Sequence, residues 1–411
     1  MSRTRTVTLL GLAQTLAWAS SYYLPAMLAV PIARDLGIAP ATVFAAFSMA
    51  LGLSAPLGPW SGRLIDRHGG RPVLVGTNLV FAAGIGSLAL VHDVVGLFAA
   101  WALIGLAMGC GLYEAAFAAL VRLYGRDSRS AITGITLLAG FASTVGWPLS
   151  AWMSARWGWR GACVGWAVMH LAIGVPLNLA LPRGRAATPD PAPAPAPAPP
   201  PAAAAVEAAT AAAVGPEAGA APARPMLAAV LLAFVFAATW FTSTAMAAHL
   251  PRLLQDSGAT LAAAVAVGAL VGPAQVAGRV LEFGVLQRLH PLLSARLAAL
   301  GHPLGVLALL LLGPAMAPAF AILHGMGNGI MTIAKGTLPL ALFGVKGYGE
   351  RQGWLIMPSR VASALAPFVA GLALDAWGAR TLWLTGALGL LAFAALLAMP
   401  HPATLRDDRH P

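Results

Sequence analysis

Long uninterrupted apolar runs constrain the fold of this chain more than any other feature of its sequence. A membrane-spanning helix needs about 20 mostly apolar residues. Runs of that length lie at about 7–32, 41–61, 72–91, 94–121, 131–155, 161–181, 226–250, 259–282, 292–313, 315–343, 353–374 and 381–399. The sequence therefore predicts an all-α membrane protein with twelve transmembrane helices.

Composition excludes the main soluble alternatives. Only 9% of the 411 residues are charged, 59% are hydrophobic, and the mean hydropathy is +0.77. A soluble globular domain carries about 25% charged residues. A disordered chain and a soluble enzyme are therefore excluded. A disulfide scaffold is excluded as well, because the two cysteines, Cys110 and Cys163, both lie in apolar runs.

A segment rich in proline and alanine divides the runs into two groups of six. It contains the sequence PDPAPAPAPAPPPAAAA, in which alternate prolines remove backbone donors and favour a polyproline II rod. Such a segment does not span a membrane, and a plain spacer is favoured over a partner-binding motif. The predicted organisation is a six-helix bundle at 1–182, a cytoplasmic linker at 183–225, a second six-helix bundle at 226–400 and a cytoplasmic tail at 401–411.

The basic residues indicate how the chain is oriented. In a soluble domain the net charge of +11 would suggest a nucleic-acid partner. Here the arginines concentrate in alternate segments between the runs, for example Arg63, Arg67 and Arg71 after the second run and Arg122 and Arg126 after the fourth. Because cytoplasmic loops carry the excess of basic residues, both termini are predicted to be cytoplasmic. This bias accounts for the charge without nucleic acid and suits a multi-pass protein of the bacterial inner membrane.

The two groups of runs repeat one another. Matching features recur at a nearly constant separation along the chain, which argues for a duplicated bundle. In transporters built this way, the binding site lies at the interface of the repeats near the bilayer midplane. The matching pairs are Gly109-Cys110-Gly111 with Gly327-Asn328-Gly329, Pro148 with Pro367, and Trp157-Gly158 with Trp377-Gly378.

The loop after the second run carries the sharpest motif. Its sequence GRLIDRHGGR, residues 62–71, follows the pattern G-x-x-x-D-R-x-G-x-R and resembles the cytoplasmic signature of the major facilitator superfamily. Glycines permit a tight turn there, and the charged side chains can form a network with neighbouring helix ends. The resemblance implies a secondary transporter with twelve helices. It also implies a gating role, latching the two halves, for Gly62, Asp66, Arg67, Gly69 and Arg71.

Two arginines of the apolar runs are assigned to the membrane rather than to the cytoplasmic segments, and a charge there costs about 2.5–3.5 kcal/mol. Arg360 lies in the eleventh run, and Arg279 lies in the eighth run, four residues after Gln275 and so on the same helix face. Guanidinium groups bind carboxylates through two parallel hydrogen bonds. Cationic residues in these two helices resemble the oxalate/formate antiporter and monocarboxylate porter branch of the superfamily. The resemblance implies that Arg279 and Arg360 hold the carboxylates of a substrate.

The depth of Arg279 depends on how the repeats are aligned. Matching Gly37 with Gly258 pairs Arg279 with Gly58, inside the bilayer. Matching Gly278-Arg279 with Gly62-Arg63 would instead place Arg279 at the cytoplasmic rim. We favour the first alignment. A purely structural pair between Arg279 and Glu282, three residues further on, is the alternative to a binding role.

Other residues in the runs are candidates for proton coupling and for lining the cavity. Glu114, Glu282 and Lys335 are the protonation candidates, with Lys335 as a possible counter-charge of Glu114. A structural hydrogen bond to Tyr113 is the alternative for Glu114. Polar and aromatic side chains recur every four residues on one face of the first run (Gln14, Trp18, Tyr22) and of the seventh (Trp240, Thr244). They suit a small polar ligand with an apolar part. The isolated histidines His170, His249 and His324 are predicted to be structural.

The sequence thus predicts a transporter of a small organic anion, coupled to protons or working by exchange, that functions as a monomer in the bilayer. No nucleotide-binding P-loop, H-E-x-x-H or C-x-x-C is present, so neither a cofactor nor a metal is expected. The alternative is an efflux transporter for drugs or metalloids with the same fold. It is less favoured, because the fourth run lacks the arginine of the drug/proton antiporters and Cys110 is a single thiol.

Overall fold

The computed structural model describes residues 2–124, 128–182, 224–286, 289–343 and 348–399. Most of the predicted linker and the predicted tail at 401–411 lie outside these residues. The described chain is helical throughout and forms two compact units. The first unit comprises Met1–Ala205, Ala247–Pro251 and Pro367–Asp375, and the second comprises Val206–Met246, Arg252–Ala366 and Ala376–Pro411.

The described residues of the first half of the chain form ten helices. Several of their ends follow from local sequence: the Asp93 side chain accepts a hydrogen bond from Gly96 N at the start of α6, and a left-handed Gly37 ends α2. A π-helical turn, His170–Gly174, joins α9 to α10. The helices are α1 Arg3–Ser20, α2 Pro25–Leu36, α3 Pro40–Ser54, α4 Leu57–His68, α5 Gly70–Leu88, α6 Val94–Gly111, α7 Tyr113–Tyr124, α8 Arg129–Ala139, α9 Ala142–Met169 and α10 Val175–Leu179.

In the second half, the part of the chain that the structure describes forms seven helices, which are generally longer. Short 3-10 turns at Pro314–Met316 and Gly378–Arg380 precede α15 and α17. The helices are α11 Pro225–Asp256, α12 Leu261–Ala269, α13 Val271–Gly284, α14 Pro291–Leu312, α15 Ala317–Phe343, α16 Tyr348–Trp377 and α17 Thr381–Leu397.

Several predicted runs form two helices rather than one. The first run divides between α1 and α2, the second between α3 and α4, and the fourth between α6 and α7 at Leu112. Among the described residues, eight helical stretches are long and apolar enough to cross a membrane, and Pro40–Ser54 is a shorter apolar helix. The count of twelve crossings and the cytoplasmic position of the termini stay predictions.

Glycines at helix crossings recur in the two units. A Cβ on Gly105 would meet the Ala50 carbonyl oxygen at 2.7 Å, and one on Gly325 would meet the Val271 carbonyl oxygen at 2.7 Å. A Cβ on Gly109 would likewise meet the Ser54 carbonyl oxygen at 2.8 Å, and one on Gly329 would collide with that of Gln275. Glycine is therefore needed for these helix backbones to approach so closely. The recurrence supports the predicted duplication.

The crossings also refine the alignment of the repeats. Gly109 is equivalent to Gly329, which lies two residues beyond the predicted equivalent Gly327. The reason is that Ser54 faces Gly109 in the same way as Gln275 faces Gly329. The separation between Ser54 and Gln275 along the chain equals that between Gly37 and Gly258. This alignment pairs Arg279 with Gly58 and disfavours the alternative that moved Arg279 to the rim.

One arginine joins several segments at an end of the first unit. Gly158 has a positive φ of 70° and bends α9, so that Arg160 projects beside it. The guanidinium forms an ion pair with Asp35, donates to the Val91 carbonyl oxygen at 2.8 Å and lies 4.2 Å from the centre of the Trp159 ring. These contacts tie the end of α2 and the turn after α5 to the bend in α9.

Candidate functional site

The gating motif lies at the junction of α4 and α5. Gly69 has a positive φ of 89°, which ends α4, and a Cβ on Gly70 would collide with Ala119 of α7. Arg122 of α7, a residue that the motif pattern does not include, donates to the carbonyl oxygens of Ile65 and Asp66. It thereby satisfies carbonyls at the end of α4, where a cation is also favoured by the helix dipole.

The motif's charged side chains are on the surface of the first unit. Asp66 and Arg67 are exposed, while Arg71 and Gly62 are partly buried. These positions leave the charges available for the predicted gating role, which stays a prediction.

The break between α6 and α7 shapes the region around Gln14 and Glu114. Leu112 is extended, with φ −85° and ψ −158°, so the Gly111 carbonyl oxygen does not continue the helix. Gln14 Nε2 of α1 donates to this oxygen at 2.8 Å, and Gln14 is only 2% exposed. The structure thus gives Gln14 a hydrogen bond that joins α1 to the break. Glu114 is exposed in the first turn of α7, where the helix dipole favours a negative charge.

Aromatic side chains form a continuous face in the first unit. The Trp18 ring lies 5.1 Å from Tyr22 and 4.8 Å from Tyr113, and Tyr113 stacks on Phe117 at 5.3 Å between ring centres. Trp18 and Tyr22 are both partly exposed. Tyr113, which the sequence analysis treated only as a hydrogen-bonding partner, joins the two predicted ligand contacts in one cluster.

In the second unit, Gln275, Arg279 and Glu282 follow one another along α13. Gln275 is 8% exposed, Arg279 is half-buried, and Glu282 is 5% exposed. Glu282 faces Ser294 of α14 without a hydrogen bond of ordinary geometry, and its Oε2 is buried with no partner among the described residues. A buried carboxylate oxygen in this state is costly unless it binds a proton or a cation.

Arg360 and Lys335 occupy different surroundings in the same unit. Arg360 lies about 18 Å along the axis from the start of α16 and is exposed there. Lys335 of α15 is half-buried, and its Nζ lies 3.7 Å from the centre of the Trp240 ring. This cation–π contact brings a predicted protonation candidate and a predicted ligand contact together.

A buried histidine with complete hydrogen bonds lies in the first unit. His170 Nδ1 is 2.8 Å from Asn78 Oδ1, and His170 Nε2 is 2.7 Å from Ser20 Oγ. Asn78 Nδ2 donates to the Leu74 carbonyl oxygen, so its Oδ1 must accept from His170 Nδ1–H. The Ser20 hydroxyl lies within hydrogen-bond distance of both His170 Nε2, at 2.7 Å, and the Leu16 carbonyl oxygen, at 2.8 Å. Side chains thus occupy both ring nitrogens, which agrees with the predicted structural role of His170.

A second histidine group, with a cavity beside it, lies in the second unit. His302 Nδ1 of α14 is 3.0 Å from His324 Nδ1 of α15. The cavity has a volume of about 40 Å³, and we call it the histidine cavity. His302 Nε2 and Thr242 Oγ1 are both buried and have no hydrogen-bond partner among the described residues. Its polar lining residues are Thr239, Thr242, Ser243, His302, His324 and Asn328. The sequence analysis did not single out His302.

The described residues contain no group of three or more His, Cys, Asp or Glu side chains arranged to hold a metal ion. Both cysteines are buried and unbridged.

Apolar helical stretches, repeated close crossings and a charged turn between helices together define a multi-pass membrane transporter. Residues 10–334 match the family model described as the Major Facilitator Superfamily. The chain belongs to this superfamily and is therefore a secondary transporter rather than an enzyme.

The fold is similar to that of a solved relative. The crystal structure of a mutant of the nucleoside transporter NupG aligns with a TM-score of 0.73 and 15% sequence identity, over 97% of this chain and 100% of that chain. At this level of identity the likeness shows the fold alone. No curated protein matches the sequence.

Proposed function

We propose that this protein moves a small organic anion of the carboxylate type across the bacterial inner membrane by alternating access. The observation that carries the proposal is the position of Arg360. Its guanidinium is exposed, and the residue lies about 18 Å from the start of the apolar helix α16. A cation at such a position is typical of a substrate or ion pathway, because lipid does not solvate it. The resemblance to the oxalate/formate antiporter and monocarboxylate porter branch supports a carboxylate as its ligand.

Arg279 is proposed as the second cationic contact, with Gln275 one turn away on the same helix face. Trp18, Tyr22 and Trp240 are proposed contacts for the apolar part of the anion, since each is only partly buried. Gln14 is the least accessible member of the predicted set, and we propose that it acts through the break at Leu112 rather than by direct contact.

Proton coupling or exchange is proposed to drive the cycle. Glu282 is a candidate for proton coupling because its buried oxygen has no partner among the described residues. Glu114 is a candidate because it is exposed at the start of α7, and Lys335 because it contacts Trp240. The proposed working form is a monomer, and the residues of the gating motif are proposed to control opening.

Counterflow in proteoliposomes with radiolabelled mono- and dicarboxylates tests the proposal. Arg360→Ala removes a charged ligand contact and should cost about 2–5 kcal/mol, which is about 30-fold or more in affinity. Arg360→Lys should recover part of the loss, because it keeps the charge but not the paired donors. Arg380→Ala is the matched control, since Arg380 is exposed in the turn after α16.

Unchanged carboxylate counterflow in a folded Arg360→Ala protein would contradict the proposal. The aromatic face around Trp18 favours one further candidate, a planar uncharged solute such as a nucleoside, which stacks on aromatic rings. Uridine counterflow that is insensitive to Arg360→Ala would support this candidate. Export of amphiphilic drugs or arsenite without carboxylate flux would support the efflux alternative.

A further inference from the structure

The histidine cavity has two polar atoms that the described protein leaves unsatisfied. His302 is 7% exposed and Thr242 is 5% exposed, yet His302 Nε2 and Thr242 Oγ1 have no hydrogen-bond partner among the described residues. Buried polar atoms in native proteins are almost always hydrogen-bonded to protein or to ordered water. The cavity of about 40 Å³ exceeds the roughly 10–15 Å³ that one water needs. His302 and Thr242 both line the cavity, so ordered water in it is the available partner for these side chains.

The contact between the two rings restricts where their protons lie. A distance of 3.0 Å between His302 Nδ1 and His324 Nδ1 requires one nitrogen to donate and the other to accept. When His302 Nδ1–H is the donor, His302 Nε2 carries a lone pair, and His302 is one of the residues that line the cavity. Addition of a proton at that nitrogen converts the contact between the rings into a charge-assisted hydrogen bond, which is the stronger kind.

The other charged side chains around the pair lie outside the cavity lining, on the lining helices and on α13, which packs on α15 and carries Arg279 and Glu282. None of the described lining residues is charged, and Phe320 packs against both rings at 5.5 Å and 6.0 Å between centres. Along their axes, Arg296 lies about 9 Å from His302 and Lys335 about 16 Å from His324, and Arg296 is bound to carbonyl oxygens at the end of α17. The described part of α17 carries no charge. The other titratable side chains on the lining helices are His249, Arg252 and Asp256 near the end of α11, and His290 at the start of α14.

We propose that the His302–His324 pair, hydrated by the histidine cavity, is a proton-binding site inside the second unit. A hydronium ion that reaches the cavity gives its proton to His302 Nε2 and leaves as water, and the reverse transfer discharges the pair. Cavity water and the hydroxyls of Thr242 and Ser243 solvate the charge, which would otherwise be too costly to bury. The site deepens the proposed function, on which its role in coupling rests.

Proton binding is tested first without any substrate. The full-length protein, labelled with ¹⁵N-histidine in lipid nanodiscs and treated with EDTA, is titrated by NMR between about pH 8 and pH 4, the range in which histidines change charge. The imidazole signals of His302 and His324 should move together, and His324→Gln should alter those of His302. His170, whose two ring nitrogens are both hydrogen-bonded to side chains, is the matched control and should not move.

The variant Thr242→Val tests proton binding without disturbing the fold. The substitution retains the shape of the side chain and removes a hydroxyl from the lining of the histidine cavity. Loss of a hydroxyl that helps to solvate the charged pair should weaken proton affinity about tenfold. Signals of His302 and His324 that stay constant over the titration, as those of His170 should, would overturn the proposal.

The coupling role is tested in proteoliposomes. A gradient of one pH unit supports about tenfold accumulation for each coupled proton. His302→Gln should abolish this accumulation while carboxylate counterflow, which needs no net proton movement, stays within about twofold. Equal gradient-driven accumulation in the variant and the wild type would refute the coupling role. If the wild type moves no carboxylate, the proposed substrate is wrong, but the NMR titration still decides whether the pair binds a proton.

Discussion

Each unit buries a histidine-centred polar group among its helices, and the two groups complete their hydrogen bonds differently. In the first unit, Asn78 and Ser20 occupy both nitrogens of His170, which is 0% exposed. In the second unit, His302 and His324 bond to each other, and a cavity remains beside His302 Nε2. The two units have equivalent glycine crossings between their helices. The polar network is nevertheless closed in the first unit and open in the second.

The repeat alignment shows where this difference arises. The separation between Gly158 and Gly378, the matched pair nearest to His170, pairs His170 with Leu390, next to Gly389, which lines the histidine cavity. In the same way, the separation between Trp18 and Trp240 pairs Ser20 with Thr242. Where the first unit has an imidazole that bonds to a hydroxyl, the second has an apolar segment at 389–390, a hydroxyl without a partner among the described residues, and the histidine cavity. A closed network serves stability, whereas an open one can exchange water and protons.

The largest expected effect on this comparison comes from Gly174→Ala in the π-helical turn. A Cβ on Gly174 would collide with Asn78 Oδ1 and approach Leu16 Cδ2, so Asn78 would lose its place beside His170. Overpacking together with a broken buried hydrogen bond should lower the free energy of unfolding by about 3 kcal/mol. Unfolding in detergent measures this change. Gly86→Ala is the control, because its Cβ would meet Ala167 at an ordinary 3.7 Å. Equal stability of the two variants would contradict the closed network.

Ser20→Ala should have an intermediate effect. It leaves His170 Nε2 buried without its hydrogen-bond partner, which should cost about 1–2 kcal/mol in the same unfolding experiment. Ser87→Ala is the control, because the Ser87 hydroxyl donates only to Gly84 O within its own helix. A Ser20→Ala protein no less stable than the control would show that the Ser20 hydroxyl does not support the ring.

The smallest effect is expected for Thr242→Val, at the position equivalent to Ser20. Its hydroxyl has no protein partner among the described residues, so replacing it with a methyl group should change the free energy of unfolding by less than about 0.5 kcal/mol. A loss as large as that of Ser20→Ala would remove the distinction between the two groups.

Hydropathy predicted the helical segments well, because lipid demands long apolar stretches wherever a helix crosses it. It could not predict the breaks at Leu112 or between α3 and α4. A break requires that backbone groups find hydrogen-bond partners elsewhere, as the Gly111 carbonyl oxygen does with Gln14. The hydropathy averaged over a window of residues does not contain that information. The pattern of glycines predicted the duplication but paired Gly109 with Gly327, two residues away from the crossing partner that the structure indicates.

The histidines show a second reason why sequence was insufficient. His302 and His324 lie on different helices, and each looks like an isolated polar residue in an apolar run. Their relation appears only when α14 and α15 pack together and bring the two Nδ1 atoms to 3.0 Å. His324 was predicted to be structural, and we propose a chemical role for it instead. Arg279 and Arg360 were found from sequence because a charge in an apolar run is conspicuous without knowledge of its neighbours.

The contacts of Arg160 have a practical consequence for imaging. A 41.9 kDa membrane protein offers little mass outside a detergent micelle for particle alignment in electron cryo-microscopy. Arg160 contacts Asp35, Val91 and Trp159 at one corner of the first unit. This corner has accessible charged side chains, and its three backbone segments are fixed to one another. An antibody fragment raised against that corner would sit rigidly on the protein and provide the missing fiducial mark.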